Sequence, residues 1–542
     1  MNTSQIKNFA IQSRNILKAG VLNRILTLGF DERGNLIVDR PVKIQGGTVF
    51  MDQLREETFY DAWTALESRL AKHGIKEVCE EAAYTWFNRL VAIRIMQKNE
   101  FIEPVMQYVS QETRIPIIVD QARSGRLSLK MSAQDEAKLN DLLRDSTKTN
   151  EQFNLLISAY CLANPVIFNC FGGIEKHISL LLPDNILSQG GFIDLLNNTP
   201  YLTDEDYTKS ELIGWLYQFY ISEKKDEVFA KKGKYAPDEI PAATQIFTPN
   251  WIVKYMVENT IGRIYLDNNP YADEIKESMK YLVEPSEPTP KDAILKLEDL
   301  TEYKMIDNAC GSGHILIEGF NLFYRMYKYE GYASRVAIEN ILKKNIIGLD
   351  LDTRAKQLAT FALLMTAAKI DKSFLDCKVM PRVLDFPEPF MYRGGTMEDF
   401  LPHYFLGGNL KIYKETIEAF ELLKDADSLG SIMKFEISAE TREAIRRSTE
   451  DWEKQEFLNE NIAAAIPSMK IILALTDKYS ASVMNPPYMG SGRFESSLSA
   501  YVDAYYQEGK SDLFSVFMMT GMNLLDKKGK MGMINMHSWM FL

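Results

Sequence analysis

The chain has 542 residues, of which 46% are hydrophobic and 25% charged; such values exclude a fibrous or mainly disordered chain, and at roughly 150 residues per domain the length points to about two to four domains. The formal net charge of −12 disfavours a nucleic-acid partner when read alone. Two stretches hold ten of those twelve charges, however: 267–300 carries nine acids against four bases, and 411–460 thirteen against eight. The remainder is nearly neutral and leaves room for a local basic groove. The five cysteines (Cys79, Cys161, Cys170, Cys310, Cys377) are scattered and odd in number, which argues against a disulfide framework and for the reduced cytoplasm. No CxxC or Cys/His cluster suggests a metal site. The best apolar run, 462–475, is broken by Pro467, Ser468 and Lys470, and the N-terminus lacks the apolar stretch of a signal peptide, so no membrane partner is expected.

The first 240 residues read as mainly helical. Residues 57–74 place Phe59, Trp63, Leu66 and Leu70 at helical spacing and end at Gly74. A second strong helix runs over 76–98, with others at 133–146, 151–163 and 209–221. Residues 87–130 hold seven bases (Arg89, Arg94, Lys98, Arg114, Arg123, Arg126, Lys130) against four acids. That run reads either as phosphate contacts or as a solvated helix face. The charged, then proline-marked stretch from 222 to Pro241 reads as a domain boundary or loop. Beyond it, apolar strands at 303–307, 345–350, 379–385, 481–484 and 531–535 alternate with helices near 315–328, 352–369 and 513–526. Such alternation predicts an α/β fold with a parallel, doubly wound sheet. The polar or helical segments 267–300 and 387–476 interrupt the pattern and read as surface insertions. The domains expected are thus 1–240, helical, and 241–542, α/β.

Four constellations carry chemistry. The run Asp307-Asn308-Ala309-Cys310-Gly311-Ser312-Gly313 follows a strand and opens a helix. Its glycines permit a tight turn and close approach of a ligand to backbone N–H groups; a plain strand-helix turn would use glycine too. Asp350-Leu351-Asp352 ends the next strand, where an acid commonly binds ribose hydroxyls; Asp352 is also placed to cap the helix that follows. Asn485-Pro486-Pro487-Tyr488 follows the strand at 481–484. The prolines stiffen the backbone and remove two donors. The Asn485 side-chain oxygen and the Pro486 carbonyl can then accept from one NH₂ group, while Tyr488 offers a face for a flat ring. Phe247-Thr248-Pro249 precedes another helix. Thr248 reads as its N-cap and Pro249 as its first residue, or Phe247 and Thr248 lie at the edge of a cofactor pocket.

In order and form, FTP, DxACGSG, DLD and NPPY resemble the adenine-N6 DNA methyltransferases of the gamma arrangement, with Asp307-Asn308 where that family has Asp-Pro. ILKAGVLNRI, AAYTWFNRLVAIRIM, IGWLYQFYISEKKDEVFA and IPAATQIFTPNWIVKYMVEN extend the resemblance to the N-terminal part of the PglX-type methyltransferases of BREX phage defence. The resemblance implies a Rossmann-like class I methyltransferase sheet, S-adenosyl-L-methionine as cofactor, and double-stranded DNA as substrate. It brings the 307–313 loop, Asp350, Leu351 and Phe247-Thr248-Pro249 to the cofactor, adds Asp385 and Phe386 as a third contact, and gives Asn485 to Tyr488 the target amine. It assigns the protein a role in marking host DNA in phage defence.

On that resemblance the chain ends before the last strands of the sheet and before any target-recognition part. A fragment or split product is expected, with that part or other defence proteins as its partners. Two competing readings remain: the methyltransferase part of a restriction-modification enzyme, and a subunit that binds cofactor or partner without turnover.

Overall fold

A computed structural model describes residues 2–540 apart from 232, 237, 238, 245–247, 406, 407, 538 and 539. The chain gathers into two units, Met1–Tyr220 with Lys372–Cys377, and Ile221–Asp371 with Lys378–Leu542.

In the first unit the Asn2 side chain accepts from the N–H groups of Ser4 and Gln5 and starts the helix Thr3–Thr27, satisfying donors that a helix N-terminus leaves free. The helical pattern from residue 57 becomes one long element, Glu57–Lys98, broken by Gly74 at φ 77° and ψ 161°. Glycine adopts that backbone conformation without strain, and the helix stop read at Gly74 is this break. The second half is buried almost all round, with Ala82, Trp86, Phe87, Leu90 and Ile93 in the core. A helix apolar on every side belongs inside its unit. Three short strands, β1 (Val42–Ile44), β2 (Gly47–Phe50) and β3 (Gln53–Arg55), form an antiparallel sheet. No strand is expected there from the sequence, because runs this short carry too little alternation to be read.

Several cations of the basic run at 87–130 are engaged within the fold. Arg89 and Arg94 are buried. Arg89 donates to the carbonyls of Phe171 and Gly173 at 2.8 and 3.0 Å, satisfying acceptors at the end of the helix Pro165–Phe171. Lys98 pairs with Asp204 at 2.6 Å and Arg126 with Asp120 at 2.9 Å, while Arg123 bonds Gln152 and Thr149. Arg89 and Arg123 thus satisfy acceptors inside the fold, whereas the Arg126 pair is exposed. No single helix among the described residues is long and apolar enough to cross a membrane; Thr149–Ala163 and Pro165–Phe171 pass that test only as a pair bent by 80°.

The second unit holds the strands β4 (Met305–Asp307), β5 (Ile346–Asp350), β6 (Val383–Asp385), β7 (Tyr479–Met484) and β8 (Leu525–Met533). They form one sheet ordered β6-β5-β4-β7-β8, with every pair parallel. Each strand read from the sequence falls on one of these. The helices His314–Tyr329, Thr353–Ile370 and Leu513–Leu524 make the crossovers β4 to β5, β5 to β6 and β7 to β8, as a parallel sheet requires. The fold is therefore α/β. β4, β5 and β7 are buried along nearly their whole length, which is why they read as continuous apolar runs rather than alternating ones. The strand order reverses at β4. Ligands of open parallel sheets bind beyond the carboxyl ends of the strands at such a reversal.

Segment 387–476 does not behave as the polar surface insertion expected of it. Its helices Met397–Tyr404, Leu410–Leu422, Ala439–Trp452 and Glu460–Thr476 bury Phe400, Phe420, Ile445, Trp452 and Met469 in one cluster with Ile306 and Leu349 of the sheet. Its charges lie on the outer faces of amphipathic helices, so the net charge masks the apolar stripe. Residues 280–299, by contrast, are largely exposed. Trp452→Ala is expected to destabilise the second unit by about 3–5 kcal/mol through the cavity it leaves; calorimetric unfolding of the variant checks this, since a residue on a true surface insertion changes stability by no more than about 0.5 kcal/mol.

Candidate active site

The carboxyl ends of β4, β5 and β7 bring the first three constellations together. β4 ends at Asp307, and the chain then turns through the glycine loop. Cys310 N–H donates to Leu349 O and Gly313 N–H to Cys310 O, both at 2.9 Å. Gly311 and Gly313 have φ of 52° and 83°, so both occupy the left-handed region that favours glycine. Gly313 is also the capping residue of the helix His314–Tyr329 and makes no side-chain cap. Gly311 N–H donates to Asp350 Oδ2 at 2.8 Å, tying the loop to the end of β5.

Asp350 Oδ1 accepts the Asp352 N–H at 2.9 Å. Asp352 accepts from Arg354 N–H at 2.9 Å and caps the helix Thr353–Ile370. Of the two roles read for this pair, the cap is thus made by Asp352, and Asp350 holds the loop. Burial pushes the Asp350 carboxyl up to about 7, against the pull of the two backbone N–H groups. Asp307 is fully buried. Its Oδ1 accepts from Ala309 N–H at 3.1 Å, Oδ2 has no hydrogen-bond partner, and burial holds the carboxyl well above the usual range. Neither polar atom of the buried Asn308 side chain is hydrogen-bonded. Burial, and next the Lys254 cation, push His314 down to about 4, so it is neutral at physiological pH.

Asp385 pairs in register with Asp350 across β5 and β6 and meets Lys356 Nζ at 3.0 Å. Phe386 and Leu351 face Gly430, whose Cβ, if it had one, would stand 3.9 Å from the Phe386 ring and 3.6 Å from Leu351 Cδ1. Ser431 Oγ donates to Asn308 O at 2.6 Å. Gly430 and Ser431 belong to segment 387–476 and went unread in the sequence; the only signal was a Gly-Ser pair inside a helical stretch.

At the end of β7, Asn485 Nδ2 lies 2.9 Å from Thr248 Oγ1. Tyr488 OH lies 3.1 Å from Asn485 Oδ1 and 2.8 Å from Ile534 O; one hydroxyl proton serves both acceptors. Burial raises Tyr488 to about 12, so its proton stays on at physiological pH. Pro486 is buried and Pro487 half-buried. The following residue is anchored too, because Met489 N–H donates to Asp512 Oδ1 at 3.2 Å. Thr248 is buried but does not cap the helix Asn250–Val257. Pro249 takes the N-cap position, and no side-chain cap is made. Phe247 lies outside the described residues.

Residues 344–542 match the family model of the Eco57I restriction-modification methylase. Over its whole length the chain is 34% identical to the adenine-specific methyltransferase BrxX of Escherichia coli O9:H4 (strain HS), and 30% identical to the adenine-specific methyltransferase PglX of Lacticaseibacillus casei (strain Zhang). The chain is a relative of these adenine-specific methyltransferases. It spans about half the length of the curated relatives it matches, 47% of each. A chain of a solved DrdV–DNA complex aligns with 99% of this chain and 36% of its own length, at 13% identity and a TM-score of 0.35; a likeness that low bears no weight.

The methylase match takes in Asp350, Asp385 and Asn485 to Tyr488 and begins after the glycine loop. The loop is instead placed by its own contacts. A Cβ on Gly313 would stand 2.8 Å from Ala359 Cβ and 3.0 Å from Ala359 Cα. Gly313→Ala combines that overlap with an unfavourable φ, and a loss of about 2–4 kcal/mol is expected; the unfolding temperature of the variant, measured without ligand, checks it.

Proposed function

We propose that this chain is the cofactor-binding and methyl-transferring part of an adenine-N6 DNA methyltransferase that marks host DNA in phage defence. Its methyl donor is S-adenosyl-L-methionine and its substrate double-stranded DNA. The observation that carries this reading is the convergence, at the strand-order reversal, of the glycine loop, Asp350 and the Asn485 amide. The resemblance to adenine-specific methyltransferases along the whole chain supports the substrate.

The residues fit that cofactor. Asp307 Oδ2 and both polar atoms of Asn308 are buried without hydrogen-bond partners, and buried polar atoms left unpaired beside a loop call for a ligand. Each Asp350 oxygen accepts one backbone N–H and retains a lone pair for a ribose hydroxyl. When bound, S-adenosylmethionine supplies an electrophilic methyl group on sulfur. The chain's own residues do the rest. Asn485 Oδ1 and the Pro486 carbonyl accept the two hydrogens of the adenine amine, which raises electron density on its nitrogen. The two prolines hold that carbonyl in place. The Tyr488 ring offers the stacking face. An adenine inside a duplex is out of reach of these groups, so it flips out at a cost of about a few kcal/mol. The rate gain is one of positioning in a site shielded from water.

Labelled methyl transfer to bacterial DNA, run beside calorimetric cofactor binding, tests the reading. The wild-type chain is expected to bind the cofactor and to methylate adenine. Asn485→Ala is expected to lower transfer on the order of 100-fold or more with cofactor affinity nearly unchanged; parallel loss of affinity counts against this division of roles. Binding without transfer points instead to a cofactor-holding subunit. A pH series tests Asp350. The cofactor needs the ionised carboxylate, and the free protein takes up a proton near pH 7. Affinity is therefore expected to be about tenfold weaker at pH 6 than at pH 8, and Asp350→Asn to bind weakly with no such slope.

A further inference from the structure

The Asn485 amide has two unlike ends, and only its oxygen can serve the amine. It is also carried on a rotatable side chain beyond the end of β7. A side chain held only by its own backbone samples several rotamers, and catalytic geometry is lost over about an ångström. One contact that restrains it comes from far away in sequence. Asn485 Nδ2 meets Thr248 Oγ1 at 2.9 Å, across 237 residues. Thr248 is 5% exposed, so bulk water does not compete for this bond. It also makes no helix cap, so the local structural role that its position suggests is not the one it fills. The other end of the amide, Oδ1, lies 3.1 Å from Tyr488 OH. That hydroxyl can turn its proton to Ile534 O at 2.8 Å, which releases Oδ1 while the Thr248 contact keeps the amide in place.

We propose that Thr248 is a positioning residue: its hydroxyl anchors the Nδ2 end of the Asn485 amide and thereby presents Oδ1 to the target amine. This rests on the function proposed above and gives Thr248, beside any contact with the cofactor, a role in the transfer step. Thr248→Val keeps the shape and removes the hydroxyl. Thr248→Ser keeps the hydroxyl.

The test uses the 542-residue chain. Single-turnover methyl transfer to duplex DNA and calorimetric affinity for S-adenosylmethionine are measured for wild type and both variants. In parallel, the side-chain amide signal of Asn485 is followed by nitrogen-15 resonance in asparagine-labelled protein, assigned with Asn485→Ala. The valine variant is expected to transfer about tenfold or more slowly at saturating S-adenosylmethionine, so that no loss of cofactor affinity accounts for the drop. Its Asn485 amide protons are expected to exchange faster with water. The serine variant is expected to recover most of the rate and the protection. The proposal is overturned if the valine variant keeps full speed, if its rate falls only in step with cofactor affinity, or if its amide signal is unchanged. If the wild-type chain methylates nothing, the functional reading fails by itself, and the amide signal then decides the anchoring: Thr248-dependent protection upholds it, and an unaltered signal overturns it.

Discussion

The hydrogen bond from Gly311 N–H to Asp350 Oδ2, 2.8 Å long, joins the turn after β4 to the end of β5, and the candidate site is arranged around it. A carboxylate placed there is costly, since burial raises its proton affinity until it titrates near neutrality. Two backbone N–H groups offset part of that cost, one from the glycine loop and one from Asp352. The loop is thus held by a residue that is itself available to a ligand. The glycines follow from the same constraint: the turn needs left-handed backbone at residues 311 and 313, and the close approach of the helix Thr353–Ile370 leaves no space for a side chain at 313.

The second half of the site depends on the neighbouring pair. β7 lies beside β4 in register, with Ile306 opposite Ser482, so the turn after β7 emerges next to the turn after β4. Asn485 then draws on contacts from three distant parts of the chain. Thr248 meets its amide, Ile534 shares the Tyr488 hydroxyl, and Asp512 holds Met489 just beyond. The connection from β6 to β7, the longest in the sheet, is a structural part of the same unit. It supplies Trp452 and Phe400 to the core and brings Ser431 against the backbone of Asn308.

Much of this was legible in the residues. The strand at β5 reads from its unbroken apolar run because both faces are covered. The helix break at Gly74 reads from the glycine at the end of an apolar period. Asp352 reads as a cap because an acid before a helical run accepts the free N–H groups of its first turn. Other features were not legible. The strands β1 to β3 are too short to show alternation. Segment 387–476 reads as surface because thirteen acids between 411 and 460 outweigh an apolar stripe that only a helical projection reveals. Arg89 and Arg94 look like phosphate ligands in a basic run, yet they are buried, with Arg89 on backbone carbonyls. Charge counts do not distinguish a solvated cation from one that satisfies acceptors inside the fold.

The sequence by itself determined the kinds of chemistry present and their local geometry: glycines at a tight turn, an acid at a strand end, and an amide followed by two prolines. These depend on backbone conformation and on neighbours within a few residues, which the order of amino acids specifies directly. Only the tertiary structure decided which of these groups meet. That Asp350 holds the glycine loop, that Thr248 reaches Asn485 rather than capping its own helix, and that Gly430 faces Leu351 and Phe386 all depend on strand order and crossover packing. Such contacts join residues from 39 to 237 positions apart. No local preference encodes them, because they arise when the apolar faces of separate elements are buried against one another.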